Sequence, residues 1–100
     1  MPRKIDPEEV RVLLREGKEI HLIDVREPDE FSGGHIPGAV NLPLNEVPTR
    51  LDELSRDQEY IIVCHSGIRS AKAATCLDEQ GFQTRNMSGG MKHWNGEIND

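Results

Sequence analysis

The chain has 100 residues, a length that suits one domain with a single modest hydrophobic core. Its formal net charge of −6 argues against a surface that binds nucleic acid or another polyanion. Charged residues make up 30% of the chain and hydrophobic residues 35%, a balance typical of a globular domain and not of a disordered chain.

The apolar segments and the cysteines indicate where in the cell the protein is expected. The longest apolar run, YIIVC at 60–64, is far shorter than the roughly 20 residues of a membrane span, so no membrane association is expected. No apolar segment follows the basic residues near the start, which argues against a secretory signal. Two cysteines do not make a disulfide framework, and a reducing, cytoplasmic location is the simpler prediction.

The first predicted element is a helix at 6–17, DPEEVRVLLREG, with signals at both ends. Asp6 is expected to cap it, Pro7 to occupy its first position and Glu9 to complete a capping box. Gly17 is expected to end it.

The rest of the chain alternates between strands and helices. Continuous apolar runs at 20–25 and 60–64 predict strands that are covered on both faces. Strands separated by helices favour an α/β fold with a mostly parallel sheet and helices on both faces. The weaker predicted segments are a helical turn around 28–31, a short strand at 39–42, a helix starting at Asn45 or Thr49, a helix from about 68 to 80, a strand near 82–87 and a closing helix around 91–94.

The segment VCHSGIRS, at 63–70, places Cys64 at the end of the most apolar strand. Ligands of parallel sheets bind beyond the carboxyl ends of the strands, so Cys64 lies where a site is expected. The following residues must turn the chain into a helix whose first N–H groups lack intrahelical partners. Such a turn forms a nest of N–H groups that binds an anion and favours the thiolate form of a cysteine.

Two cations near the start of this helix support the same interpretation. Arg69 and Lys72 lie where the helix dipole disfavours positive charge, a cost that an anionic substrate or intermediate would offset. Taken alone, a cysteine that ends a core strand is more often a buried hydrophobe. The combination of strand end, glycine-containing turn, helix and Arg69-Ser70 favours a nucleophilic Cys64 instead.

No chemistry is assigned to the histidines or to the second cysteine. The spacing of His21, His35, His65 and His93 does not fit a metal site, so neither a metal nor a cofactor is expected. Cys76 lies about 10 Å beyond Arg69 along a helix axis and is interpreted as a packing residue.

Three segments in order resemble the signatures of the rhodanese family of sulfurtransferases. They are LIDVREPDEFSGGHIPGAVNLP at 22–43, VCHSGIRS at 63–70 and MSGGMKHW at 87–94. The resemblance covers nearly the whole chain. It implies one rhodanese domain over residues 1–100, with a five-stranded, mostly parallel sheet flanked by helices.

The resemblance also implies a mechanism. Cys64 would take a sulfane sulfur from a small donor such as thiosulfate or a persulfide, form a persulfide, and pass the sulfur to cyanide or a thiol. A thioredoxin-like protein or another sulfur-acceptor protein would be a fitting partner. The loop would bind the substrate, with its N–H groups around the persulfide and Arg69 on the anionic donor; its residues are His65, Ser66, Gly67, Ile68, Arg69 and Ser70.

Asp24 and Arg26 match a family motif beside the active site. The resemblance implies that they orient and brace the loop through charge-assisted hydrogen bonds. A surface ion pair with Glu27 or Glu30 is the alternative interpretation.

The length of the loop distinguishes sulfur transfer from phosphoryl chemistry. Similar folds that host cysteine phosphatases and arsenate reductases place one more residue between Cys and Arg, commonly with His before the Cys. Here four residues separate Cys64 from Arg69, and Val63 precedes the cysteine. The tighter nest suits a terminal sulfur atom better than a tetrahedral oxyanion.

Two hypotheses for the function remain open. The first is an active sulfurtransferase or persulfide carrier. The second is a rhodanese-like interaction or sulfur-relay module that acts with a partner protein and has little independent turnover. The intact Cys64 and the complete loop favour the enzyme.

Overall fold

A five-stranded parallel sheet forms the centre of the fold in the computed structural model, which describes residues 3–100. The strand order is β1-β5-β4-β2-β3, and each neighbouring pair is parallel. The α/β class and the five-stranded parallel sheet are therefore confirmed. The strands are Arg3–Ile5 (β1), His21–Asp24 (β2), Val40–Asn41 (β3), Glu59–Val63 (β4) and Gln83–Met87 (β5).

Helices connect the strands. The α-helices are Pro7–Arg15 (α1), Pro28–Ser32 (α2) and Ile68–Glu79 (α3), and 3-10 helices cover Leu44–Thr49, Leu51–Glu53 and Gly90–His93. Within residues 3–100, no helix combines the length and the apolar composition needed to cross a lipid bilayer.

Two predicted details of the helices are wrong. Asp6 occupies the N-cap position of α1, but in the described part of the chain its side chain makes no capping hydrogen bond, so the capping box with Glu9 is not formed. The helix expected from Asn45 or Thr49 is a pair of 3-10 segments. Pro48 lies inside the first of them and lacks the N–H group that an α-helix needs there.

Two neighbouring strands of the sheet, β1 and β5, lack the apolar pattern that identifies a strand in a sequence. β1 was not predicted, because Arg3–Ile5 is too short and too polar to stand out. β5 lies between β1 and β4 although its sequence, QTRNM, is polar. Thr84 and Asn86 are buried in it, and each is hydrogen-bonded to a side chain of α3.

Hydrophobic clusters cover both faces of the sheet, as the continuous apolar runs predict. Along β4, Ile61 and Val63 point to one face and pack with Val10 of α1. Ile62 and the following Cys64 point to the opposite face. On that face they pack with the α3 side chains that were predicted to face inward, which are Ala73, Ala74 and Leu77.

The glycine that begins the closing 3-10 helix touches the loop that follows β4. Gly90 has φ +62°, and a Cβ atom on it would lie only 2.6 Å from the carbonyl carbon of His65. The next two N–H groups hold the same loop, since Met91 donates to the carbonyl of Cys64 at 2.7 Å and Lys92 to that of His65 at 2.8 Å. The absence of a side chain at Gly90 therefore permits the contact that anchors the loop.

Replacement of Gly90 by alanine is expected to destabilise the domain more than replacement of Gly17. Both glycines have left-handed backbones, which cost alanine about 1–2 kcal/mol. A Cβ at Gly17 meets nothing within 4 Å, whereas at Gly90 it overlaps the loop backbone, which adds about 1–3 kcal/mol. Urea unfolding of G17A and G90A measures the difference; equal losses of unfolding free energy would contradict the anchoring role.

Candidate active site

Cys64 lies directly after β4, at the carboxyl end of the sheet, as the sequence predicts. Its residue surface is 1% exposed. The chain then turns through the loop into α3, with Gly67 at the N-cap position and φ +96°. A positive φ at this point needs glycine, and it lets the loop curl around the sulfur atom.

Hydrogen bonds surround the sulfur of Cys64. The N–H group of Gly67 donates to Sγ at 3.0 Å, and Ser70 Oγ lies 3.2 Å from Sγ. Burial by itself would raise the pKa of the Cys64 thiol, but hydrogen bonds from the Ser70 hydroxyl and from the N–H groups of Ser70, Gly67 and Ser66 hold the pKa below its usual value. The site therefore favours the thiolate.

Ser70 links the sulfur to a buried amide on β5. Its hydroxyl donates to Asn86 Oδ1, and Asn86 Nδ2 in turn donates to the carbonyl of Gly67 at 3.2 Å. A hydroxyl has one hydrogen, so Sγ and Asn86 Oδ1 compete for it. Sequence reasoning missed Asn86; the available signal was a polar residue inside a strand with buried ends.

Arg69 makes an ion pair that the sequence did not predict. Its Nη1 and Nη2 atoms donate to the two carboxylate oxygens of Glu30, at 2.6 and 2.9 Å. The hydrogen bonds from Arg69 hold the pKa of Glu30 down at about 2. Both side chains are about one-third exposed, at 33% and 34%, so solvent reaches the pair.

Asp24 and Arg26 pair with each other below the surface. Arg26 Nε and Nη2 donate to the Asp24 carboxylate at 2.9 and 2.8 Å, and the two side chains are 8% and 0% exposed. Arg26 Nη2 also donates to the carbonyl of Gly34 at 2.8 Å. The alternative of a surface ion pair with Glu27 or Glu30 is therefore wrong. The pair braces the turn after α2, and support of the catalytic loop stays a prediction.

The remaining loop residues form the site mainly through their backbone, because their side chains are largely exposed. His65 and Ser66 are exposed, and Ile68, the first residue of α3, is 65% exposed. Of the N–H groups expected to surround the sulfur, that of Gly67 donates to it at 3.0 Å. Cys76 packs against the α3 side of the core, as expected.

Comparison with known proteins matches the rhodanese-like domain family over residues 6–97. A Bacillus subtilis protein named "Putative sulfurtransferase YtwF" is 40% identical over 96 residues, which cover 96% of this chain and 93% of that protein. The thiosulfate sulfurtransferase GlpE of Shewanella oneidensis is 34% identical over 84 residues, 83% of each chain.

A longer relative and a solved structure extend the comparison. The B. subtilis protein named "Putative sulfur carrier protein YrkF" is 44% identical over 80 residues, which are 79% of this chain but 43% of that protein. The crystal structure of a rhodanese-like domain protein from Staphylococcus aureus is 34% identical and has a TM-score of 0.91, with 97% of this chain and 96% of the other covered. The chain belongs to the rhodanese-like domain family.

Proposed function

We propose that the chain is a sulfurtransferase that carries a sulfane sulfur on Cys64. The observation that supports this most directly is the buried sulfur at the end of β4, which accepts N–H hydrogen bonds that favour the thiolate. The relatives named sulfurtransferase and thiosulfate sulfurtransferase support the same activity. The proposed small donors are thiosulfate or a persulfide, and the proposed acceptors are cyanide or a thiol.

The proposed reaction has two displacements at sulfur. The Cys64 thiolate attacks the outer sulfur of thiosulfate, the S–S bond of the donor breaks, and sulfite leaves with the electron pair. The terminal sulfur of the new persulfide then lies among the N–H groups that held the thiolate, which stabilise its negative charge. Cyanide attacks that sulfur, thiocyanate leaves, and the thiolate returns.

Two features of the loop support sulfur transfer over phosphoryl transfer. The turn between Cys64 and Arg69 has four residues, and the N–H group of Gly67 within it donates to the single sulfur atom of Cys64.

The alternative proposal is a sulfur-relay module that acts with a protein partner and turns over slowly alone. The exposed Ile68 at the start of α3, next to Arg69 in the chain, favours it, because an apolar side chain there suits contact with a protein better than contact with a small anion. The relative named as a sulfur carrier points the same way. A thioredoxin-like or other sulfur-acceptor protein in the cytoplasm, where thiols stay reduced, is the proposed partner.

Thiosulfate alone is expected to add one sulfur to the intact protein, about 32 mass units, and a reductant should remove it. Mass spectrometry of the wild type, C64S and C76S measures this directly. The label should be absent from C64S and retained by C76S, which controls for the second cysteine. Label on C64S, or on no variant, would remove Cys64 from the mechanism.

Replacement of Arg69 by alanine is expected to impair thiosulfate use more than folding. A hydrogen-bonded charged contact contributes about 1.5–3 kcal/mol, so kcat/KM for thiosulfate should fall at least about tenfold. The partly exposed pair with Glu30 should contribute less than about 1 kcal/mol to the free energy of unfolding. Steady-state kinetics and urea unfolding separate the two effects, and unchanged kinetics would make Arg69 purely structural.

The lowered pKa of Cys64 predicts a shifted pH profile for alkylation by iodoacetamide. The rate follows the thiolate, so its midpoint should lie at lower pH than that of free cysteine. S70A should move the midpoint upward, because a hydrogen bond to the charged sulfur is stronger than one to the thiol. S66A should leave it unchanged, since Ser66 contributes its backbone N–H. A midpoint equal to that of free cysteine would contradict the thiolate assignment.

A further inference from the structure

The cation of the loop already has an anionic partner. Both terminal nitrogens of Arg69 and both oxygens of Glu30 are used in one bidentate contact. A bidentate pair of this kind occupies the Nη1–Nη2 edge of the guanidinium and neutralises its charge there. An anionic donor that reaches Arg69 therefore also meets the negative charge of Glu30.

The charge of Glu30 is held in place from several directions. Its carboxylate also accepts the N–H group of Glu27 at 2.9 Å, in the capping box that starts α2. The end of the same helix is followed by Gly34, whose carbonyl is bound by the buried Arg26. Since the pKa of Glu30 is about 2, the carboxylate is ionised at every physiological pH.

The residues around the Arg69–Glu30 pair do not create a positively charged site for an anionic donor. Asp29 in the first turn of α2 is exposed and adds to the negative charge. On the other side, Ile68 precedes Arg69 and exposes an apolar side chain, while Lys72 is the exposed cation one turn farther along α3. A negatively charged donor that approaches Cys64 past α2 is repelled in proportion to its own charge.

We propose that Glu30 is a specificity-determining residue that selects sulfur donors by charge. It disfavours dianions such as thiosulfate relative to donors with at most one negative charge, the thiosulfonates and the persulfides of thiols. This inference rests on the sulfur transfer proposed above. With a thiol persulfide, the Cys64 thiolate attacks the outer sulfur of RS–SH, the donor S–S bond breaks, RS⁻ leaves, and the proton stays on the transferred sulfur.

The test replaces Glu30 by glutamine and varies the charge of the donor. Glutamine at this position can keep the capping-box hydrogen bond, so α2 should stay folded. The kcat/KM values are measured for thiosulfate, a dianion, and methanethiosulfonate, a monoanion, at low ionic strength with cyanide as acceptor. Because Coulomb energy is proportional to donor charge, the gain for thiosulfate should be about the square of the gain for methanethiosulfonate, for example about tenfold against about threefold.

D29N is the matched control, since it removes one negative charge from the same helix turn without touching the contact to Arg69. It should change the ratio of the two kcat/KM values much less than E30Q does. Equal gains for the two donors, no gain for thiosulfate, or an equal effect of D29N would overturn the charge selection while leaving sulfur transfer intact. Failure of the wild type to take sulfur from either donor would overturn both proposals.

Discussion

The hydrogen bonds from backbone N–H groups to the sulfur of Cys64 are the interaction on which the proposed chemistry depends. Burial alone would keep this cysteine a thiol, as it does for most cysteines in a hydrophobic core. The turn through Gly67 reverses that preference, because it directs N–H groups at the sulfur before α3 can use them. The same groups suit the thiolate and the terminal sulfur of a persulfide, so one loop shape serves both states of a transfer cycle.

Distant parts of the chain maintain that shape. The closing turn at Gly90 lies against the loop backbone and holds its carbonyl groups through the next two N–H groups. From β5, Asn86 connects the Ser70 hydroxyl with the carbonyl of Gly67. The buried amide of Asn86 in β5 follows from this role, since it satisfies the loop where an apolar side chain would leave polar atoms without partners.

The unfavourable position of Arg69 at the start of α3 is offset by an ion pair with another helix. Arg69 lies in the first turn of α3, where the helix dipole disfavours it, and Glu30 in the first turn of α2 supplies the compensating charge. In the proposed function this compensation has a second effect, because it leaves little positive potential for an inorganic dianion. Recruitment of a protein-bound or thiol-bound donor agrees with the apolar Ile68 beside the same cation.

The sequence by itself determined the order of the elements after β1 and the position of Cys64, because apolar runs, glycines and a strand-to-helix turn are local signals. It also placed the inward residues of α3, since their spacing follows the helical period. Only the tertiary structure decided the partners of the site: Glu30 for Arg69, Asp24 for Arg26 and Asn86 for Ser70. Glu30 and Arg69 are 39 residues apart in the chain, and their pairing arises from packing α2 beside the loop, which no local pattern records.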